Sequence, residues 1–496
     1  MKKRIGYLLG IGLLSAIILL GCHFDMEKES VPDSGKEEHF TKLVVAIPFS
    51  GIEENDLVMV EEKINEIVRK ELQVEITFVR TNSYSNTVNL MLAGEEQLDV
   101  MLAFGNLFIE SYINNDLVSL DNLLYEYGKG IIKEVDPEMI AACRINNRLY
   151  GLPNNKDYAA GTNAFMLRKD ILEKYHVDPN EIQTMEELEQ VFELVKTNEP
   201  DMTVLASGGG TLLSNMYFSN LMTSYFRVGV HLNYGRDEEL VNLFETEEYY
   251  NALKRVRNWY LKGYMDEDIL GETEPLFTRV KKGEIFAYTT KWKPGLESQD
   301  INAAKKDLVC VQLGENVVSF NTYAVMPYVI TQNTVSARKS MELLNLFYTN
   351  EDIANLLSYG VEGVHYKKTE DGHFTYIDLE KNNPFINNAW KAPNQFISGV
   401  WEGNPLTLWD DMRGFNEKSI HACDSEFVFD ISPVITEYFT LRDIYSKYKP
   451  ILENGLVNPE EGLKRMNKEM KENGIDDVLA EELKQFKAWK NRQGQH

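Results

Sequence analysis

Cysteine is scarce in this 496-residue chain, where Cys22, Cys143, Cys310 and Cys423 are the full set. Four thiols so far apart build no disulfide framework, and no Cys-x-x-Cys or His-x-x-x-His spacing offers a zinc site. The eight histidines are scattered, with no His-Glu-x-x-His among them, and no Gly-x-Ser-x-Gly elbow presents a serine nucleophile. The run Ser207-Gly208-Gly209-Gly210-Thr211 lacks the Gly-Lys-Ser/Thr ending of a phosphate loop and reads as a strand-to-helix loop. Cations are in deficit too, 51 Lys and Arg against 77 Asp and Glu, for a formal charge of −26. Such a body lacks the clustered cations that nucleic acid or a broad anionic lipid face requires.

Long apolar runs are equally rare, with one exception. Behind Lys2, Lys3 and Arg4, residues Ile5 to Leu20 carry no charge. Sixteen residues make about 24 Å of helix, short of a comfortable bilayer span. A basic leader, a short apolar stretch and a small residue before a processing point read as an export signal, with an uncleaved anchor helix as the alternative. The next residues, Leu19-Leu20-Gly21-Cys22, resemble the bacterial lipobox. That resemblance implies cleavage before Cys22, a diacylglyceryl group on it, and residence on the outer face of the cell membrane. Two long chains, at about 0.8 kcal/mol per buried methylene, hold a protein stably. His23 to Phe40, rich in Glu, Lys, Ser, Pro and Gly, suits a solvated tether. Three cysteines then remain, leaving either one bridge or three buried free thiols.

What is plentiful is strand–helix alternation. Thr41–Pro48 is a β-branched run fit for a buried strand, and Asp56–Leu72 spaces its apolar residues as a helix. Strands are expected at Gln73–Arg80 and Leu98–Phe104, with a helix at Ser83–Ala93 between them. Thr184 and Glu187 form a capping box opening the helix Met185–Lys196, and Val204–Ala206 is strand-like. Further on, Glu247–Lys262 and Ser336–Tyr348 read as helices, Lys282–Thr290 leads into a strand, and Val318–Val329 reads as a strand. Tyr376–Trp401 is loop-like and the charged Pro459–Arg492 helical. Alternation of this kind argues for an α/β fold with parallel sheets and right-handed crossovers.

Several segments resemble family 1 extracellular solute-binding proteins, the capture subunits of ABC importers. Arg148-Leu149-Tyr150-Gly151-Leu152-Pro153 is similar to the family's Tyr-Gly-Leu-Pro segment. Phe165 to Leu172 with Lys174-Tyr175 is similar to its RKDxLxKY helix, apart from His176 where the family has Gly. Leu98-Asp99-Val100 and Asn115 to Leu120 match a further stretch. Ala354 to Tyr366, Phe427 to Asp430, Pro433-Val434, Gly455 to Glu461, Gly474 to Asp476 and Trp489 resemble a lipoprotein subgroup with an uncharacterised C-terminal domain. The resemblance implies a type 2 periplasmic-binding-protein-like fold, two hinged α/β lobes with a ligand cleft between them. It places 41–157 and about 324–365 in one lobe, and 158–323 and about 366–496 in the other. Crossings are expected at Asn155–Thr162, Val318–Tyr323 and near Glu362–Lys368.

It further implies a monomer that captures a small-molecule ligand, a carbohydrate, for ABC permease subunits. No cofactor, metal or catalytic residue enters, and the membrane is met through the lipid anchor alone. A sugar site needs flat aromatics beside planar hydrogen-bonding side chains. Trp292 follows a strand end and resembles in position a stacking Trp of maltose-binding proteins. Trp401 and Asn404 lie in an aromatic- and amide-rich stretch with Trp390, Asn394, Gln395, Trp409 and Asp410. Phe104 and Asn106 follow a strand expected to open on the cleft, as do Ser50 and Glu53. Asp157 lies at the first crossing beside Asn154 and Tyr158, and Tyr366 near the third. For each, core packing or loop capping is the competing role. An exported carbohydrate hydrolase, with two of the many carboxylates as its catalytic pair, and a ligand-sensing surface lipoprotein are the alternative readings.

Overall fold

The computed structural model describes residues 39–49, 51–216, 226–319, 322–377, 385 and 388–493. Cys22, the expected leader, most of the expected tether and Ser50 lie outside these residues. Ten strands build the two main sheets: β1 (Thr41–Ala46), β2 (Val74–Phe78), β3 (Val100–Leu102), β4 (Ala160–Arg168), β5 (Thr203–Ala206), β6 (Ile285–Trp292), β7 (Leu308–Gln312), β8 (Asn316–Val318), β9 (Tyr328–Ile330) and β10 (Ile420–His421). The first sheet has the order β9-β3-β1-β2, and the second β10-β8-β4-β6-β5 with β7 also paired to β4.

Local chemistry accounts for the first sheet. β1 lies between two parallel neighbours, so its Leu43, Val45 and Ala46 are buried. The helix Glu54–Leu72 carries Glu54 and Asp56 in its first turn and Arg69 and Lys70 in its last, matching the helix dipole. Leu57, Val60, Ile64 and Val68 form its buried stripe, and Gln73, left-handed at φ 54°, turns the chain into β2. β2 is an edge strand, and Asn65 covers it: the Asn65 amide donates to Ile76 O at 2.9 Å and accepts from Ile76 N at 2.7 Å. The expected capping box also forms. Glu187 N donates to Thr184 Oγ1 at 3.2 Å, while the Glu187 carboxylate reaches back to Gln183 N, one residue before the cap.

Two antiparallel chain segments pass side by side from one sheet to the other. Leu152 bridges to Tyr328 on the first sheet, and Ala160 pairs with Val317 on the second. The first passage is therefore 153–159 and the second runs from Ser319 to Pro327, close to the expected crossings. The single strand expected over Val318–Val329 is broken for this reason, ending as β8, passing a 3-10 turn at Thr322–Ala324 and resuming as β9.

The third passage departs from the expected Glu362–Lys368. The hairpin Tyr366–Lys368/Phe374–Tyr376 stays with the first lobe, because its rings pack on Tyr359 of the helix Glu351–Tyr359. Residues 388–398 are held there as well. Asn394 donates to Tyr348 O at 2.9 Å, Asn155 bridges Asn394, and the Tyr328 hydroxyl donates to Lys391 O at 2.5 Å. Residues 399–402 stay there too, with Gly399 N donating to Asn355 Oδ1 at 2.8 Å and Glu402 N to Phe374 O at 2.8 Å; the chain then touches Ser298 through Asn404 and reaches the second sheet as β10 beside β8.

Three helices close the chain: Ile435–Glu453, Pro459–Glu472 and Ile475–Gln493. The single helical stretch expected from Pro459 is divided at Gly474, whose φ of 88° suits glycine and ends the helix before it. Cys143, Cys310 and Cys423 are free thiols, and of these only Cys143 is fully buried. Among the described residues no helix is long and apolar enough to cross a membrane.

Candidate functional site

Among the loops that leave the carboxyl ends of strands in parallel pairs are 47–53 after β1, 103–106 after β3, 207–211 after β5 and 293–295 after β6. Ligands in open α/β sheets are met at such ends. The glycine run after β5 is a close-packing device. A side chain at Gly208 would place its Cβ 1.9 Å from Thr289 O, so only glycine lets this loop lie on β6.

The helix Leu296–Ala304, the stretch 388–412 and the hairpin enclose a groove. A narrow part of about 80 Å³ is lined by Lys293, Gln299, Tyr359, Gln395, Trp401, Asn404 and Trp409 among others. An adjoining part of about 390 Å³ shares Ser298, Asn302, Tyr376 and Trp401 with it. The first is too small to hold a ligand by itself and continues the second, which falls in the range of small-molecule sites, about 300–1,000 Å³. A larger cavity, about 840 Å³, opens between 141–147 and the last helix, with Glu426, Glu481, Lys484 and Arg492 in its walls. It is far in sequence from the four strand-end loops and has few aromatic walls.

Trp401 and Asn404, both singled out from sequence, come together in the groove. The Trp401 ring lies 4.1 Å from that of Tyr376 at 32° and meets Tyr359 edge-on at 5.0 Å. Asn404 donates to Ser298 Oγ at 3.1 Å and to Trp401 O at 3.2 Å, tying the lobes together beside the ring. Trp409 also lines the groove, but its indole N–H is engaged by Ser398 O at 2.7 Å. Tyr366 is 4 % exposed and stacks on Phe374 at 4.6 Å, so it belongs to the hairpin's core and supports the wall from behind. Trp292 is half-buried and meets Phe415 edge-on at 5.1 Å, packed into the main core.

Phe104 stands 39 % exposed on the loop after β3, its ring 6.0 Å from Trp390. Asn106 opens the helix Leu107–Ile113 without a side-chain capping bond, and its buried Oδ1 meets no donor. Asn154 Oδ1 and Gln395 Oε1 are buried acceptors in the same condition among the described residues. Buried acceptors left without donors are costly, and a sugar hydroxyl is a donor.

Asp157 sits between two lysines, accepting from Lys293 at 2.9 Å and lying 3.6 Å from Lys156. Burial pushes its carboxyl up, but the two ammonium groups outweigh that and hold it down at about 2. Lys291 goes the other way: burial, then repulsion from Lys156, lowers it to about 7. Lys391, wholly buried, is lowered to about 7 by burial alone while it donates to Pro48 O and Asn388 Oδ1. These lysines escaped the sequence reading. Lys291-Trp292-Lys293 drew notice only for its indole, and isolated lysines ordinarily signal solvated surface.

The first passage is clamped by Asn416 of the helix Leu408–Lys418. Its Oδ1 accepts from Tyr158 N at 2.9 Å and Ala159 N at 3.1 Å, and its Nδ2 donates to Lys156 O at 2.9 Å. Asn416→Ala strands three backbone groups and is expected to lower unfolding free energy by about 2–3 kcal/mol in urea titration. A change under 0.5 kcal/mol would show that solvent takes over these bonds.

The comparisons agree with this architecture. Residues 60–352 match the model of the bacterial extracellular solute-binding proteins, and residues 425–491 match a domain of unknown function. A carbohydrate ABC transporter substrate-binding protein of Streptococcus pneumoniae is 23% identical over 436 residues, 86% of this chain and 85% of that protein. A polygalacturonan/rhamnogalacturonan-binding protein of Bacillus subtilis, YtcQ, is 21% identical over 68% of this chain and 72% of its own. The crystal structure of NgtS, an N-glycan transport solute-binding protein of Streptococcus pneumoniae, superposes with a TM-score of 0.78 at 21% identity. That match covers 90% of this chain and 98% of NgtS. With two lobes, paired crossings, a groove at the strand ends and more than half its length matched, the chain belongs to the bacterial extracellular solute-binding protein family.

Proposed function

We propose that this protein captures a carbohydrate in the groove between its lobes and presents it to the permease of an ABC importer. The observation that carries this reading is the groove itself, where Trp401 and Tyr376 offer ring surface beside Asn404, Gln395 and Asn302. Rings accept the C–H faces of a pyranose and planar amides bond its hydroxyl rim. The S. pneumoniae relative named for carbohydrate transport supports it, as does NgtS, whose fold is shared and which is recorded in complex with Man1GlcNAc. Trp401, Asn404, Phe104, Asn106 and Asp157 are the assigned ligand contacts. Trp292 and Tyr366 are assigned supporting roles.

Residues 41–157 and 324–402 form one lobe in this proposal, and 158–323 with 408–496 the other. Lipid on Cys22 would keep the body at the membrane, where tethering raises its effective concentration at a permease. The ligand is expected back chemically intact, since the role is capture.

A binding partner for the native state stabilises it by RT ln(1 + [L]/Kd), about 2.7 kcal/mol at a hundredfold excess over Kd. A thermal-shift screen of the full chain against oligosaccharides, peptides and amino acids should therefore raise Tm with oligosaccharides. Stabilisation by peptides alone would overturn the proposal.

A further inference from the structure

The C-terminal domain, residues 425–491, meets a strand-end loop of the second lobe. Its helix Ile435–Glu453 ends in a corner, Glu453 and Asn454, that faces the glycine loop after β5. Glu453 is wholly buried, and its carboxylate accepts from Thr211 Oγ1 at 2.5 Å, the Tyr445 hydroxyl at 2.5 Å and the Tyr249 hydroxyl at 3.1 Å. Asn454 Oδ1 accepts from Leu212 N at 3.1 Å, the first amide of the short helix Leu212–Met216. Thr211 passes the constraint along the chain, since its Oγ1 lies 2.6 Å from Ser214 Oγ and accepts from Ser214 N at 3.2 Å. The corner is itself fixed to the lobe, with Arg257 donating to Gly455 O at 2.7 Å and Asn467 to Phe244 O at 2.9 Å.

At its other end the loop is pinned to β6, where Gly208 N donates to Thr289 Oγ1 at 3.2 Å. Between the two pins Gly209 and Gly210 are exposed, with φ of 147° and 67° that suit glycine. A side chain at Gly209 would meet nothing within 4 Å, so the backbone there is open to close approach. Ala206 pairs with Tyr288, which places the loop beside the residues of β6 that run on to Lys293 in the groove wall. The carboxyl ends of parallel strands are where ligands are met. Consecutive glycines have the most backbone freedom to lose, so this loop keeps one shape only if its ends are held. The C-terminal domain holds one of them.

We propose that the C-terminal domain serves capture, with Glu453 and Asn454 as positioning residues that hold the glycine loop in the shape a bound oligosaccharide meets. Neither residue touches the sugar. Their effect runs through Thr211 and Leu212 and is one of pre-organisation, because a loop that must be ordered on binding costs affinity. This rests on the carbohydrate reading above and extends it to residues that do not line the groove.

The test measures loop order and affinity on the same full-chain variants in detergent. Amide exchange, read by mass spectrometry on the peptide spanning 207–212, needs no ligand. E453M should speed it at least tenfold, while E453Q, which keeps an acceptor, should stay near the parent. Titration calorimetry then uses a panel of neutral manno-, gluco- and galacto-oligosaccharides, well below Tm so that every variant is folded. E453M should bind at least fivefold more weakly than the parent, and E453Q within twofold of it. T211V removes the hydroxyl through which Glu453 acts, so E453M/T211V should lose no more affinity than the worse single change. N454A, which strands Leu212 N, replaces E453M in both measurements if that variant does not fold. Unchanged exchange overturns the inference, as does faster exchange with unchanged affinity, or additive losses in the double variant. Any of these with oligosaccharide binding intact leaves the carbohydrate reading standing. Absence of binding by every oligosaccharide overturns that reading, and this role with it.

Discussion

Replacing Arg227 by Met is expected to cost about 3–5 kcal/mol, the largest stability loss of any single change here. The guanidinium is 3 % exposed and donates to Glu482 and Asp424, each at 2.6 Å and each 1 % exposed. Glu482 also accepts from Gly229 N at 3.1 Å, so the cluster fastens the last helix to the strand Gly229–His231. Without Arg227 two carboxylates share a dry site with His231 3.7 Å from Asp424, and burial already lowers that imidazole's proton affinity. Domain stabilities are commonly about 5–15 kcal/mol, so the loss is a large fraction of the whole.

Burial raises the Glu482 carboxyl, and a folded-state value above the unfolded one favours the fold at low pH and is lost as pH rises. The R227M deficit should therefore shrink between pH 7.5 and pH 5. Urea unfolding at both pH values measures it. The triple change R227M/D424L/E482M should recover most of the stability, since a buried ionic cluster exchanged whole for apolar side chains is often neutral. A parent-like R227M curve would sink the argument, as would a triple variant weaker than the single.

What the sequence disclosed divides along a physical line. β1, the helix after it and the cap at Thr184 were legible because their causes are local: a β-branched run, a helical stripe, and a hydroxyl three residues before a glutamate. The two passages at 153–159 and 319–327 were approachable because strand ends mark them. The aromatic wall was not, because Tyr359, Tyr366, Phe374, Tyr376 and Trp401 share no period and come from a helix, a hairpin and a loop that meet only in the fold. That hidden contact displaced the expected third crossing by more than thirty residues. It also recast Tyr366, which sequence position offered as a ligand contact and which packs against Phe374. The pairing of Lys293 with Asp157 was illegible for the same reason, since two distant segments must meet to make it.

Trp401→Ala is the change expected to affect capture most. Its ring lines both parts of the groove, with Tyr376 and Tyr359 fixing its plane. Buried tryptophans at the centre of binding surfaces carry about 2 kcal/mol or more, about a thirtyfold loss of affinity. Some loss of stability must accompany it, because the ring also packs on the hairpin. Two controls separate these effects. Trp401→Phe keeps a ring and should melt close to the parent while binding at an intermediate affinity. Tyr366→Leu removes the buried stack on Phe374 and should lower Tm while costing far less affinity than W401A. Calorimetric titration with a glycan that raises Tm, run on all three variants, decides it. If Y366L and W401A lose affinity in proportion to their loss of stability, Trp401 only braces the groove. A loss confined to W401A, graded through W401F, places its ring on the sugar.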